Sequence, residues 1–172
     1  MSRITTDQIA ELLAQDKDGR ITRGNFQKFL LNPDGGTFPL INTDAPLFIP
    51  SGWQVEEHKR DRQFLFDPTK VGLFHSPKQK NGKVISGHDL RQELKDKPVL
   101  NACVLDYLLA HPEPIPESWK GKYIYFWGTI YRRADGDLYV RFLYWDDGRW
   151  DWNYFWLGYG WSGHGPAAVA SV

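Results

Sequence analysis

The 172-residue sequence contains a single cysteine, no net charge and no long hydrophobic run. Cys103 alone forms no internal disulfide and no zinc site built from several thiolates. No apolar segment approaches the roughly 20 residues that span a bilayer, and the first residues lack the apolar stretch of a signal peptide. The balance of 21 basic against 21 acidic residues argues against a general attraction to nucleic acid or anionic membranes. These absences predict a soluble, cytoplasmic protein with no membrane partner.

Two specific motifs, the nucleophile elbow of hydrolases and the P-loop of nucleotide-binding proteins, are also missing. The chain contains neither Gly-x-Ser-x-Gly nor Gly-x-x-x-x-Gly-Lys-Ser/Thr. No two of the five histidines stand three or four residues apart, the spacing that places two metal ligands on one helical face. Cys103 lies inside a predicted helix, which favours a small packed side chain over a reactive thiol. We therefore expect no catalytic residues, no metal and no cofactor.

Aromatic residues are abundant and unevenly placed. The chain holds 26 of them, and 17 lie within residues 119–161. Three stretches rich in aromatic and β-branched residues predict strands at residues 122–133, 138–145 and 150–157. Asp135-Gly136 and Asp147-Gly148 separate these stretches, and an Asp-Gly pair readily adopts the positive φ angles of a tight type I′ hairpin turn, so we expect two such turns. The pattern predicts a three-stranded antiparallel meander rich in Trp and Tyr.

Alternation along the predicted strands assigns side chains to two faces of the sheet. In the first strand, one face is predicted to carry Ile124, Phe126, Gly128 and Ile130. Neither face is plainly polar, so the sheet is either covered on both faces, or covered on one and used for binding on the other. We expect two helices ahead of the meander to cover one face.

The first 36 residues predict a helical hairpin whose Asp16-x-Asp18-Gly19 turn is similar to part of an EF-hand loop. In that register Ala14 takes the first ligand position and Asn25 the twelfth. Calcium binding needs an oxygen ligand at the first position and a bidentate Glu at the twelfth. We therefore interpret the segment as a degenerate, EF-hand-like hairpin that binds no calcium.

Residues 37–116 predict a mixed α/β middle region with short strands and two helices, which Ser86 and Asn101 cap. Three prolines within residues 111–116 favour an extended connector into the aromatic β region, residues 117–172. The expected fold is α+β: a helical hairpin, an irregular middle, two helices and the antiparallel meander. We expect these segments to form one compact unit.

Aromatic and basic side chains of the C-terminal region are the candidate binding residues. They are Trp127, Arg141, Trp145, Arg149, Trp150, Trp152, Trp161 and His164. Rings interleaved with guanidinium groups are typical of single-stranded nucleic-acid binding, in which bases stack and phosphates meet arginine. Residues 119–161 carry a net charge of only +1, however, and a phosphate-binding groove usually shows a clearer positive excess. Arg–Asp pairs and cation–π packing within the sheet are the alternative roles of these arginines.

An acidic cluster at the second hairpin turn raises the hypothesis of a hydrolase. Asp146, Asp147 and Asp151 lie close in sequence, and carboxylates about 5–10 Å apart catalyse glycoside hydrolysis. His164 lies in a glycine-rich turn where an imidazole is accessible. The turn itself explains Asp147, and exposure at strand ends explains the other two, so a hydrolase is the second alternative.

Three C-terminal strings are similar to an uncharacterised group of bacterial hypothetical proteins. They are Phe126-Trp-Gly-Thr-Ile-Tyr-Arg132, Leu138-Tyr-Val-Arg-Phe-Leu-Tyr-Trp145 and Gly148-Arg-Trp-Asp-Trp152. The resemblance covers about the last 70 residues. It implies a small, stand-alone bacterial protein and lends it no activity, cofactor or site residue.

The leading hypothesis is a non-enzymatic protein-interaction module that uses an aromatic surface of the sheet. Tyr, Trp and Arg are enriched among the residues that anchor protein interfaces. The expected partner is another protein or a second copy of the chain. The first alternative is the binding of single-stranded nucleic acid or a glycan through stacked aromatic rings.

Overall fold

A computed structural model describes residues 38–171. The chain divides into two compact units, residues 1–40 and 41–172, and the described residues belong almost entirely to the second. The helical hairpin expected at residues 1–36 lies outside the described residues. The remainder has the mixed α+β composition that the sequence predicts, with strands outnumbering helices.

Two helices and ten strands make up the described residues. The helices are α1 (Gly87–Leu94) and α2 (Ala102–Ala110). The strands are β1 (Leu40–Asn42), β2 (Gln54–His58), β3 (Gln63–Leu65), β4 (Val71–Phe74), β5 (Ile85–Ser86), β6 (Ile124–Arg132), β7 (Leu138–Asp146), β8 (Arg149–Trp156), β9 (Gly160–Trp161) and β10 (Ala167–Ala170). Short 3₁₀ turns lie at Pro68–Lys70, Pro77–Gln79 and Glu117–Trp119.

Both helices begin at the capping residues that the sequence indicates. The Ser86 hydroxyl accepts a hydrogen bond from the backbone N–H of Asp89 at the start of α1. At the start of α2, the side-chain oxygen of Asn101 accepts bonds from the N–H groups of Cys103 and Val104. Helix α2 ends at Ala110, directly before the proline-rich connector that no helix can continue through.

The main sheet has six strands in the order β4-β10-β6-β7-β8, with β2 also paired to β6. Strands β6, β7 and β8 pair antiparallel in sequence, which is the predicted meander. The β7–β8 turn has positive φ at both Asp147 and Gly148, as a type I′ turn requires. In the β6–β7 turn only Gly136 has positive φ, and its N–H donates to the carbonyl of Arg133. That loop is the three-residue kind, built from a type I turn and a left-handed glycine, so the type I′ turn expected at Asp135-Gly136 was wrong.

A bulge in the middle of β6 changes which side chains share a face. The pairing with β7 shifts by three residues between Tyr125 and Ile130. Ile130 therefore packs in the same cluster as Tyr125, and not with Phe126 as simple alternation predicts. The bulge faces the start of α2: the N–H of Gly128 donates to the carbonyl of Leu100 at 2.8 Å. A Cβ at Gly128 would meet backbone atoms of Asn101 at 2.9 Å, so only glycine allows this approach.

Apolar cores lie on both faces of the sheet. One contains Val104, Leu105 and Leu108 of α2, packed with Phe126 and Leu143. The other contains residues of α1, packed with side chains from β6, β7 and β9. The expectation that both helices cover the same face was therefore wrong, because each face carries large aromatic side chains that need burial. Among residues 38–171 no helix is long and apolar enough to cross a membrane.

Candidate functional site

Five aromatic rings surround a cavity of about 430 Å³ on the α1 side of the sheet. The cavity, called here the aromatic pocket, is lined by Tyr123, Tyr125, Phe142, Phe155, Gly160, Trp161, Ser162, His164 and Gly165. The Tyr125 ring centroid lies 4.4 Å from that of Trp161 and 5.1 Å from that of Phe142. Phe155 and Trp161 meet edge to face at 4.8 Å. These ring–ring contacts hold the walls of the pocket in place, because an edge-to-face pair adds stabilising energy to that gained from burying its apolar area.

Three neighbouring strands and one return loop build the pocket. Tyr125 of β6 lies directly opposite Phe142 of β7, and Phe155 comes from β8. After β8 the chain turns back through β9, which pairs with β5 and places Trp161 against Tyr125. The floor therefore belongs to the rigid sheet, while residues 158–165 supply one wall.

Two side chains hold that wall from a distant part of the sequence. The amide nitrogen of Gln79 donates to the carbonyl of Ser162 at 2.8 Å. The Nε2 atom of His75 donates to the carbonyl of Gly163 at 2.7 Å. Gln79 is itself buried and fixed, since its side-chain oxygen accepts the N–H of Ser76 in a capping box. The wall is thus ordered before any ligand arrives, which lowers the entropic cost of binding.

The wall also contains glycines at the spacing Gly158-x-Gly160-x-x-Gly163, the pattern of a dinucleotide-binding turn. In that motif the glycines connect a strand to a helix, whose first N–H groups bind the pyrophosphate. Here the segment leads from β8 into the short strand β9 and then into β10. The structure therefore offers no helix N-terminus to a phosphate at this loop.

Aromatic rings and backbone make up most of the pocket lining, and ionisable side chains are few. Burial raises the pKa of Tyr125 far above its ordinary value, so its phenol stays protonated. Besides the phenols of Tyr123 and Tyr125, Ser162 and His164 contribute polar side chains, and His164 is exposed at the edge. The lining contains no carboxylate and no lysine or arginine. A site of this kind selects apolar and aromatic groups.

Exposed apolar side chains surround the opening of the pocket. Residues 38–171 expose five large apolar side chains, and three of them lie here. Tyr123 lines the pocket and is 48% exposed; Tyr159 packs on Phe155 and is 56% exposed. Val84 is 61% exposed and lies beside Gly160. The apolar surface therefore extends beyond the cavity, as it does around the anchor pockets of protein interfaces.

The eight candidate residues of the sequence analysis fall in different places. Trp161 and His164 line the aromatic pocket. Trp145, Arg149 and Trp150 line a second groove of about 440 Å³ beside the proline-rich connector. Trp127 is buried in the core on the α1 side, whereas Arg141 and the half-buried Trp152 lie on the opposite face of the sheet.

Arginines and lysines pack on the tryptophans of the α2 face. The Arg141 guanidinium lies 3.9 Å from the ring centre of Trp152, and its Nη1 atom lies 2.7 Å from Oδ1 of Asp106. Arg141 is only 1% exposed, so the carboxylate of α2 balances a buried charge. Lys120 covers the ring of Trp145 at 3.8 Å. One face of each of these two rings is therefore already occupied by a cation.

The three aspartates proposed for a hydrolase lie around the β7–β8 turn. Asp146 lies opposite Arg149 in the backbone register of the hairpin, and Asp147 adopts the positive φ angle of the turn. The carboxylate of Asp151 lies 3.6 Å from Arg149. None of the three lines the aromatic pocket or the second groove, whereas His164 lines the former.

Cys103 and His58 approach each other, but their hydrogen bonds are structural. The Sγ atom lies 3.9 Å from Nε2 of His58 and donates to the carbonyl of Ala45. Nε2 itself lies 3.0 Å from the carbonyl of Thr43, which can only accept, so Nε2 carries the proton. Burial raises the pKa of Cys103 to about 11. The thiol stays protonated and lacks an adjacent base, in agreement with a packed side chain.

Four residues of the pocket were not among the candidates predicted from the sequence: Tyr123, Tyr125, Phe142 and Phe155. Alternation places Phe142 on one face of its strand, and the hairpin register, which sets Phe155 opposite Val140, could have placed Phe155 on the same face. The closing wall could not be found this way, because Trp161 reaches Tyr125 through pairing between β9 and the distant β5. The pairing of β5 with β9 places Trp161 beside the aromatic residues of the sheet, and this contact between distant segments completes the pocket.

Within the part of the chain that the structure describes, no three His, Cys, Asp or Glu side chains are grouped so as to hold a metal ion. Comparisons with protein-family models, with curated proteins and with solved structures found no match to this chain.

Proposed function

We propose that this chain is a non-enzymatic interaction module of the bacterial cytoplasm, which receives an apolar side chain of a partner protein in its aromatic pocket. The observation that carries the proposal is the combination of a preformed aromatic cavity with an apolar rim. A site for a free metabolite encloses most of its ligand and needs no such rim. A protein partner fills the cavity with one side chain and covers the rim with its neighbours.

The size and chemistry of the pocket favour an aromatic anchor. A volume of about 430 Å³ is within the range of cavities that take small molecules, and it accommodates one large side chain with room for its backbone. The ring edges and faces offer the offset and edge-to-face contacts that aromatic guests prefer. The anchor residue of the partner is therefore a Trp, Tyr or Phe in an exposed segment.

Binding of single-stranded nucleic acid or a glycan remains the alternative that the same experiment tests. Both ligands stack on open ring faces, and nucleic acid also needs cations free to meet phosphate. Lys120 and Arg141 already cover Trp145 and Trp152, and Arg141 is buried. These contacts favour the protein-partner hypothesis over the stacking hypotheses.

The test is a titration of the full chain with short polar peptides that carry a single Trp, Tyr or Phe, compared with homopolymeric oligonucleotides and a glycan panel. The readout is the NMR shift of the Trp161 indole N–H. We expect saturable binding of an aromatic peptide, and the Tyr123→Ala variant should weaken it by at least about tenfold. Phe48→Ala is the matched control, because Phe48 is similarly exposed and packs on Trp152 at 5.7 Å, away from the pocket lining.

Equal binding by the Tyr123→Ala and Phe48→Ala variants would place the peptide elsewhere and contradict the proposal. Salt-sensitive shifts with oligonucleotides, without any response to peptides, would favour nucleic acid. A response to glycans alone would favour sugar stacking. Both variants change exposed side chains, so their far-UV spectra and unfolding midpoints should match the parent chain.

A further inference from the structure

The outer edge of β8 carries backbone groups without a partner strand. β8 ends the six-stranded sheet, and no strand within residues 38–171 pairs with its far side. The N–H of Leu157 donates to the carbonyl of Leu138 at 2.9 Å, and this bond fixes which residues face β7. Because the direction alternates along an antiparallel strand, the backbone groups of Trp150, Trp152 and Tyr154 point outward. An exposed edge of this kind is a template for another strand.

Side chains of the strand itself occupy two of these outward N–H groups. The N–H of Trp152 donates to Oδ1 of Asp151 at 2.7 Å, and the N–H of Tyr154 donates to Oδ1 of Asn153 at 2.7 Å. Each bond joins neighbouring residues and supplies the acceptor that an adjacent strand would otherwise provide. A carbonyl of an incoming strand can replace either side chain without leaving a donor unsatisfied.

We propose that β8 pairs antiparallel with β8 of a second copy of this chain, about a two-fold axis at Trp152. In this register Trp150 lies opposite Tyr154 of the second copy, and Trp152 lies opposite its symmetry mate. All three outward residues then form hydrogen-bonded pairs. The register ends there because the carbonyl of Trp156 already accepts the N–H of Tyr159 at 3.3 Å.

The same register also brings together the two side chains that the incoming strand displaces from the N–H groups of β8. Asp151 lies opposite Asn153 of the second copy, on the other face of the strand from the tryptophans. The amide nitrogen of Asn153 can then donate to the carboxylate of Asp151, and the two-fold axis repeats this pair. Moving the axis to Asn153 would place Asp151 opposite Phe155 and leave the carboxylate without a donor on the second copy, with only Arg149 of its own strand nearby. Complementarity of Asp151 and Asn153 therefore selects the second copy and one register.

The test measures the oligomeric state of the full chain by sedimentation equilibrium, from low micromolar to near-millimolar concentration. We expect a reversible dimer whose dissociation constant rises about tenfold or more in the Asn153→Asp variant, because two carboxylates then face each other twice. The Asp151→Asn variant should keep the dimer. The double variant Asp151→Asn/Asn153→Asp exchanges the two groups and should restore the parent constant.

All three variants retain a side-chain oxygen for the N–H groups of Trp152 and Tyr154, so the monomer keeps these two edge hydrogen bonds. A second measurement follows amide hydrogen exchange at Trp152 and Tyr154, which should slow as the concentration of the parent chain rises. A monomer at every concentration would overturn the proposal, as would a double variant that fails to recover. Association that appears only in an Asp151→Ala/Asn153→Ala variant would also overturn the proposal, because it would show that these side chains prevent strand pairing at the edge. The Tyr123→Ala variant of the aromatic pocket should dimerise like the parent chain.

Discussion

At the scale of single residues, His58 connects three parts of the chain through a fixed proton arrangement. Its Nε2–H donates to the carbonyl of Thr43, and its Nδ1 atom lies 2.8 Å from the hydroxyl of Thr129. That hydroxyl accepts the N–H of Ala102 at 3.0 Å, so its own hydrogen is free to donate to Nδ1. The neutral imidazole thus joins β2, the bulge of β6 and the start of α2, and a second proton would disturb this network.

We expect the stability of the protein to fall as the pH is lowered through the histidine range. Desolvation lowers the pKa of His58 from its ordinary value of 6.5, so the unfolded chain takes up a proton before the native chain does. Stability is therefore retained above about pH 6.5 and is lost progressively as the pH falls from there toward the lowered native pKa. Urea unfolding at a series of pH values measures the decline.

The His58→Ala variant distinguishes the contribution of His58 to this pH dependence from the contributions of other titratable groups. It should lose about 1–3 kcal/mol of unfolding free energy near pH 8, because buried partners lose their hydrogen bonds, and its pH dependence should be flatter than that of the parent. His88→Ala removes an exposed histidine and should leave both quantities almost unchanged. A variant of His58 that keeps the parent's acid decline would show that another group controls it.

At the scale of elements, the start of α1 and the pocket wall share one tight contact. The N–H of Gly87 donates to the carbonyl of Leu157 at 2.9 Å. A Cβ on Gly87 would lie 2.5 Å from that carbonyl oxygen and 2.5 Å from Nε1 of Trp161. Glycine is therefore required at the first position of α1 by the close approach of β8's end and of the pocket wall.

The Gly87→Ala substitution should destabilise the protein, although alanine is the better helix former by about 1 kcal/mol. The backbone carbonyl cannot move aside like a flexible side chain, so we expect a net loss of roughly 1–3 kcal/mol from overpacking. Trp161 should shift as well, which thermal unfolding combined with near-ultraviolet circular dichroism will detect. His88→Ala, one residue further along α1, should show neither change. An unchanged or raised melting temperature in Gly87→Ala would mean that α1 can move away from the sheet.

Elements that depend on neighbouring residues could be predicted from the sequence, and elements that depend on distant contacts could not. The Asp-Gly turns and the caps Ser86 and Asn101 act within a few residues, so the meander and both helices follow from local pattern. The three-residue bulge in β6 lies where the start of α2 approaches Gly128. The residues around Gly128 in the sequence contain no pattern that predicts this contact. The aromatic pocket likewise requires β9 to reach β5 across more than 70 residues of chain.

At the scale of the whole molecule, a strand from the end of the chain lies inside the sheet. β10 pairs antiparallel with β4 through four residue pairs and lies parallel to β6. The carbonyl of Ala168 accepts the N–H of Leu100, and the N–H of Ala170 donates to the carbonyl of Pro98. Small side chains suit this position, because Ala168 is fully buried and β10 is packed between two strands. The connection between β4 and the rest of the sheet therefore depends on residues 167–170.

Deleting residues 166–172 should abolish cooperative unfolding. The deletion removes β10, leaves β4 without a partner in the sheet and frees the N–H of Tyr125, which donates to the carbonyl of Pro166 at 2.9 Å. Unpaired strand edges and exposed apolar surface then favour aggregation over the native state. Deleting only residues 171–172 is the control: among the described contacts it removes the bond from the Ser171 N–H to the carbonyl of Lys70, at a cost of about 1 kcal/mol. Circular dichroism melts and dye binding distinguish the two deletions, and a longer deletion that melts like the control would show that β4 and β6 pack without β10.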